Sequence, residues 1–311
     1  MIARRVVFVT LLWSLPAWAQ TTRPRVHDPS TIIQSDGTYW LFATGGGIRS
    51  WQSRDLRQWV PGPRVLEDVP AWTRKYLRDD RLWAPDIIRG RDGRYFLYYS
   101  ASSWGKNTSA IGLISRSTLD PSQKEPWRDD GAVIASSAKD NFNAIDPAVT
   151  FDADGRLWMS FGSYWSGIKL IELDRQTGRR IASDSAIHAL ASHKQIEAPY
   201  IHRRGDKYYL FVNFGLCCRG VNSTYEVRVG RSVSLTGPYL DRDGKGMLQG
   251  GGTLVLGSSG TFIGPGHAGI FADDRGEWFS CHFYDATNDG RPALSVRPLH
   301  WSNDGWPIIG E

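Results

Sequence analysis

The sequence predicts an all-β chain folded as a single-domain five-bladed β-propeller, and three observations predict it. Short runs rich in aromatic and β-branched residues recur, separated by Asp-Gly, Arg-Gly and Ser-Gly turns of the kind that join hairpin strands. One motif returns in phase along the chain. No long amphipathic helical pattern interrupts it.

The stretch 143–174, NAIDPAVTFDADGRLWMSFGSYWSGIKLIELD, shows the unit most plainly. A strand follows Asp146-Pro147, Asp152–Gly155 turns the chain, LWMSFG runs back, and IKLIELD forms a third strand after Ser166-Gly167. The equivalent second strands begin at Tyr39, Tyr95, Leu157, Tyr208 and Trp278, with spacings of 56, 62, 51 and 70 residues that vary as surface insertions would make them. Eleven residues before these marks stand Asp28, Ala84, Asp146, Glu197 and His267. Third strands follow in GGIRSWQS, SAIGLISR, SGIKLIEL, YEVRVGRS and PALSVRPL, and several units close on a Trp or Tyr: Trp59, Trp127, Tyr239 and Trp306. Units of about four strands repeated in phase suit propeller blades around a central channel better than a pair of sandwiches. The less repetitive stretches 64–82 and 175–194 are expected to be surface connections, and the Gly45–Gly47 and Gly250–Gly252 runs to be turns.

The first residues read as an export signal: Arg4-Arg5, an apolar run from Val6 to Leu15, and Ala17-Trp18-Ala19 as a cleavage site. The expected organisation is therefore a secretion signal at 1–19 and the propeller at 20–311, with no later segment able to cross a membrane. Without its two arginines the formal charge falls from +5 to +3. There is no Lys/Arg-rich nucleic-acid motif, and the mild positive balance tolerates acidic polysaccharides. Fourteen tryptophans serve β cores and sugar-stacking surfaces alike. The three cysteines, adjacent Cys217-Cys218 and distant Cys281, leave three arrangements open: a vicinal bridge, one bridge to Cys281, or three thiols.

In a propeller the innermost strands line the channel, so Asp28, Asp146, Glu197 and His267 should meet at one mouth. Like charges brought together separate in pKa, which divides an acid from a base. Glycosidic hydrolysis needs that division, with a third carboxylate available to hold the acid protonated and orient the sugar. A single Asp-Pro at a strand start is more often a turn; several in phase point to a site. His267 occupies the carboxylate position of its repeat, which suggests a central cation bound through this ring and water. Ala84 breaks the pattern, so Trp83 becomes a candidate stacking wall and Asp86 a sugar acceptor on the same strand face. Asn143, Ser163 and Trp165 complete the candidate substrate contacts. A non-catalytic sugar-binding propeller is the rival from another class, but it would need aromatic pockets in every blade.

The motifs HDPSTI, WAPDI, SSWGKNTSAIGL, NAIDPAV, SFGSYWSGIKL, IEAPYI, CCRGVNSTYEVRVGRS, GPYLDRDGKG and GPGHAG resemble those of the arabinanases of glycoside hydrolase family 43, over about His27 to Trp306. The resemblance implies a five-bladed propeller that hydrolyses α-1,5-linked L-arabinofuranose chains with inversion. By that resemblance Asp28 matches the general base, Glu197 the general acid, Asp146 the pKa-modulating carboxylate and His267 the histidine of a central metal ion, often calcium. Inversion implies acid and base carboxyls about 6.5–9.5 Å apart. The CCRGVNSTY segment is similar to that of endo-acting members; exo-acting arabinofuranosidase or β-xylosidase activity is the alternative. The expected partner is arabinan alone, cleaved by a secreted monomer.

Overall fold

The computed structural model describes residues 22–310. The expected secretion signal at 1–19 lies outside the described residues.

The described chain is a five-bladed β-propeller with antiparallel sheets. Blade one comprises Ile33–Ser35, Thr38–Ala43, Arg49–Ser53 and Trp59–Pro61. Blade two runs through Arg81–Arg89, Tyr95–Ala101, Ser109–Arg116 and Arg128–Ser136, and Gly45–Gly46 adds a short strand to its inner edge. Blade three takes Ala148–Phe151, Leu157–Phe161, Ile168–Leu173 and His188–Ala191. Blade four takes Ile196–Arg204, Lys207–Phe214, Glu226–Ser232 and Thr253–Leu256. Blade five takes Phe262–Asp273, Gly276–Asp285, Arg291–Trp301 and Pro307–Ile309.

Three expectations need correcting. The stretch 175–194 is not all connection, because His188–Ala191 is the outer strand of blade three. Blade four closes on Thr253–Leu256, beyond Tyr239. Gly45-Gly46, expected in a turn, pairs with Leu82 and Arg81.

Each second strand is covered on both faces, which is why these strands read as continuous apolar runs. All of Tyr95–Ala101 and Leu157–Phe161 is buried. The cores lie between neighbouring blades. Trp40, Phe42, Leu97 and Tyr99 join blades one and two, and Phe96, Tyr98, Leu157 and Met159 join two and three. Leu170, Leu190, Leu210 and Val212 join three and four. Phe211, Val229, Ile270 and Phe279 join four and five, and Leu41, Trp59 and Leu294 bring five back to one. The ring closes without a shared strand: Leu294 N donates to Pro24 O at 3.1 Å, and Arg23 pairs with Asp285 at 2.8 Å.

One backbone device positions the site. Asp28, Ala84, Asp146, Ala198 and His267 all adopt positive φ, between 44° and 62°. That region is uncommon for residues with a Cβ and tends to mark functional positions. In blades two, four and five it coincides with register shifts in the innermost hairpin, which re-aim side chains toward the axis.

Candidate active site

The five left-handed residues ring one end of the channel, and a cavity of about 1080 Å³ opens there. Asp28, Asp146, Glu197, Trp83, Asn143, Ser163 and Trp165 all line it. The residue of blade four that occupies the left-handed position is Ala198, so Glu197 sits one place earlier, with His27, Trp83, Ile145 and Gly266 as its counterparts. The hairpin of blade four is one residue shorter, with Ala198 ten residues before Tyr208 where Asp28 is eleven before Tyr39.

Asp28 is held from several sides. Its Oδ2 accepts from Thr44 Oγ1 at 2.7 Å, and its Oδ1 lies 2.8 Å from His27 Nδ1. His267 Nδ1 stands 3.6 Å and His282 Nδ1 3.9 Å from the same oxygen. Burial pulls the Asp28 pKa upward, but the His27 charge and hydrogen bond, helped by His267 and His282, outweigh it and hold the carboxyl well below the ordinary range. His27 Nε2 contacts Tyr284 Oη at 2.9 Å, and Cys218 N donates to that same oxygen at 2.7 Å. Burial lowers the His27 pKa, yet the Asp28 carboxylate raises it on balance.

Glu197 lies in the opposite regime. Burial, with the Asp28 charge, raises its pKa against the hydrogen bonds it accepts from Tyr225 Oη and from Ser163 Oγ at 2.7 Å. Asp146 is raised further, by burial and by the charges of Glu197 and Asp28. Its Oδ2 accepts from Ala198 N at 3.2 Å, and its own N–H donates to Ser100 Oγ at 2.9 Å. The cleft therefore holds one carboxylate fixed ionised and two carboxyls that favour protons. That division suits acid–base chemistry on a bond placed between them.

Two candidates sit outside the cavity lining. Asp86 is not a sugar acceptor: it is buried, its Oδ1 accepts from Thr31 N at 2.9 Å and its Oδ2 from Val149 N at 2.8 Å. Both oxygens brace blade two to blades one and three, and burial pushes its pKa up to about 6. The period-two argument failed because the register shifts between Trp83 and Asp86. His267 is buried beside Asp28, and burial lowers its pKa. Among the described residues no side-chain hydrogen bond holds its ring, so a nitrogen can serve a cation. The nearby donors are otherwise imidazoles and one carboxylate: His27, Asp28 and His282 offer ligand atoms within 4.8 Å of one another. Calcium fits such a nitrogen-rich set only with water supplying most of its oxygen ligands.

Asn143 is nearly enclosed, its Oδ1 accepting from Ser109 Oγ at 2.8 Å. Trp165 is 46% and Trp104 67% exposed, both on the cavity wall. Sequence reasoning gave no role to His27, Thr44, Tyr225 or Tyr284, although His27 opens the HDPSTI motif and Tyr225 lies within CCRGVNSTYEVRVGRS. The cysteines resolve to a Cys217–Cys218 bridge on the cavity wall and a buried Cys281 whose thiol burial pushes up to about 12. Asn107, in a glycosylation-like triplet, is buried and donates to Asp140 O at 2.9 Å.

Known proteins give the comparison. An extracellular exo-α-(1→5)-L-arabinofuranosidase of Cellvibrio japonicus (strain Ueda107) is 41% identical, covering 92% of this chain and 86% of its own. An extracellular endo-α-(1→5)-L-arabinanase of Bacillus subtilis (strain 168) is 40% identical, covering 98% and 94%. The Cellvibrio cellulosa α-L-arabinanase solved with arabinohexaose superposes with a TM-score of 0.88 at 40% identity, over 92% of this chain and 96% of that one. The model of the glycosyl hydrolases family 43 matches residues 21–307, and this chain belongs to that family.

Proposed function

We propose that this chain is a secreted, monomeric arabinan endo-1,5-α-L-arabinosidase that works by a single inverting displacement. The observation that carries the reading is the placement in one cleft of two carboxyls in opposed surroundings: Asp28 beside His27, which favours its ionised form, and Glu197, whose burial favours its protonated form. Asp28 takes a proton from water as the water oxygen bonds to the anomeric carbon. The bond from that carbon to the bridging oxygen breaks, and Glu197 gives its proton to the departing oxygen. Asp146 is the modulating carboxyl of this scheme: its Oδ2 holds the Ala198 N–H beside the acid, while burial and the Asp28 charge favour the proton on Glu197. Trp83 and Trp165 offer faces for sugar stacking, and Asn143 a polar anchor. The relatives described as extracellular support secretion. His267 is the residue that would hold a calcium ion with water; positive charge there would favour ionised Asp28.

Exo-action is a second reading, favoured by the exo-acting relative at 41% identity. The deciding experiment digests linear arabinan, branched arabinan and xylan, following product length over time. Early mixed oligomers establish internal cleavage, and a single short product from the outset establishes exo-action. No release from linear arabinan would sink the proposal.

A further inference from the structure

We infer that Tyr225 is a positioning residue for the proton donor, set in place by the buried amide of Asn213; this rests on reading Glu197 as the acid. Two hydroxyls from different blades grip the Glu197 carboxyl. Ser163 follows the second strand of blade three and donates to Oε2 at 2.7 Å, while Tyr225, at the start of the third strand of blade four, donates to Oε1. A carboxyl held at both oxygens cannot rotate about its last bond, which fixes the direction in which its proton is presented.

The surroundings are built to place that ring. Asn213 is fully buried and lies directly across the hairpin from Glu197. Its Nδ2 donates to Glu226 O at 3.2 Å and to Pro265 O at 3.1 Å, and its Oδ1 accepts from His267 N at 2.8 Å. One amide thus ties the residue after Tyr225 to the Gly-Pro-Gly-His segment of blade five. Gly266 in that segment has no room for a side chain: a Cβ there would stand 2.4 Å from the Tyr225 ring. Burial and the Glu197 charge raise the Tyr225 pKa well above the ordinary phenol value, so the hydroxyl stays a donor at working pH.

A ring that only filled space would leave proton donation untouched, and the leaving group tells the two apart. Tyr225→Phe is compared with the parent on linear arabinan and on phenyl and 4-nitrophenyl glycosides of arabinotriose. The positioning role predicts a kcat about 10–100-fold lower on arabinan and the phenyl glycoside with KM little changed, and a much smaller loss on the nitrophenyl glycoside, whose leaving group needs little protonation. The basic limb of kcat/KM moves up by about one pH unit, because the lost hydrogen bond favoured ionised Glu197. Asp28, Asp146, His27, Tyr164 and Tyr284, the other titratable groups acting on or through Glu197, are unchanged in the variant. Gly266→Ala, whose Cβ presses on both the Tyr225 ring and the Asn213 amide without removing the hydroxyl, should reproduce the leaving-group pattern and serves if the phenylalanine variant fails to fold. An equal loss on all substrates, or an unmoved basic limb, overturns the inference. Glu197→Gln run in parallel separates the failures: if it keeps arabinan turnover, the acid assignment itself falls.

Discussion

Nδ1 of His27 lies 2.8 Å from Oδ1 of Asp28, and the same ring reaches Tyr284 with Nε2 at 2.9 Å. The contact decides which carboxyl of the cleft is ionised. Replacing His27 by Gln removes the charge that lowers the Asp28 pKa. The base must be ionised to act, so the acidic limb of kcat/KM should move to higher pH, by about one unit or more. A pH–rate profile on arabino-oligosaccharides checks this, and an unmoved acidic limb would refute it.

Glu197→Gln should lower kcat on linear arabinan by at least about 100-fold while oligosaccharide binding stays measurable. Calorimetric titration with arabinotriose and a turnover assay measure the two quantities independently. Normal turnover in the variant would show that another group donates the proton.

Asp146 makes a prediction about stability rather than rate. Its folded pKa is raised by burial and by Glu197 and Asp28, so the folded state binds more protons than the unfolded one above the ordinary carboxylate pKa. Stability contributed by this group is therefore lost as pH climbs from about 4 toward the raised value. Asp146→Asn keeps the acceptor for Ala198 N and removes that penalty. The variant should melt at a higher temperature than the parent at pH 7 and at nearly the same temperature below pH 4, with activity largely lost. Melting curves across the range test the sign.

Asp86→Ala should be costly without touching the chemistry. It strands the N–H groups of Thr31 and Val149, each worth about 1–3 kcal/mol when buried and unmet. A fall in Tm of at least about 5 °C is expected, with kcat per folded molecule nearly intact. Asp86→Asn, which retains one acceptor, should fall between the two. A large loss of kcat with unchanged Tm would return Asp86 to the substrate site.

Much of this was legible in the residues. Repeated turns and aromatic second strands disclosed the blades because every blade solves the same burial problem, and the eleven-residue step found Asp28, Asp146 and His267 at the left-handed bend. Glu197 was reached by a count that is one residue out of register, since the short hairpin of blade four moves the bend to Ala198. The step still found the site because the residue before the bend lines the cavity in four blades, as His27, Trp83, Ile145 and Glu197 do. Asp86 was misplaced for the converse reason: strand alternation does not survive a register shift. Tyr225 heads a repeated third strand and Tyr284 lies near the end of a second one, but no other blade carries a tyrosine at either place, so the repeat gives them no signal. Their part depends on contacts with blade five or the first innermost segment, which no local pattern encodes.

Four of the five blade junctions are crossed by the chain itself, whereas among the described residues blade five meets blade one through side-chain, hydrogen-bond and apolar contacts, among them Leu294 N to Pro24 O, Arg23 to Asp285, Tyr39 to Asp273, Asp28 N to His282 Nδ1 and the packing around Leu41 and Leu294. Warming should part the molecule there first, like a clasp on a bracelet, and the amides of Leu294 and Asp28 should exchange deuterium before those of Tyr95–Ala101. Because His27 and Asp28 ride on one side of this clasp and His282 and Tyr284 on the other, catalysis should fade at temperatures where the remaining blades are still intact.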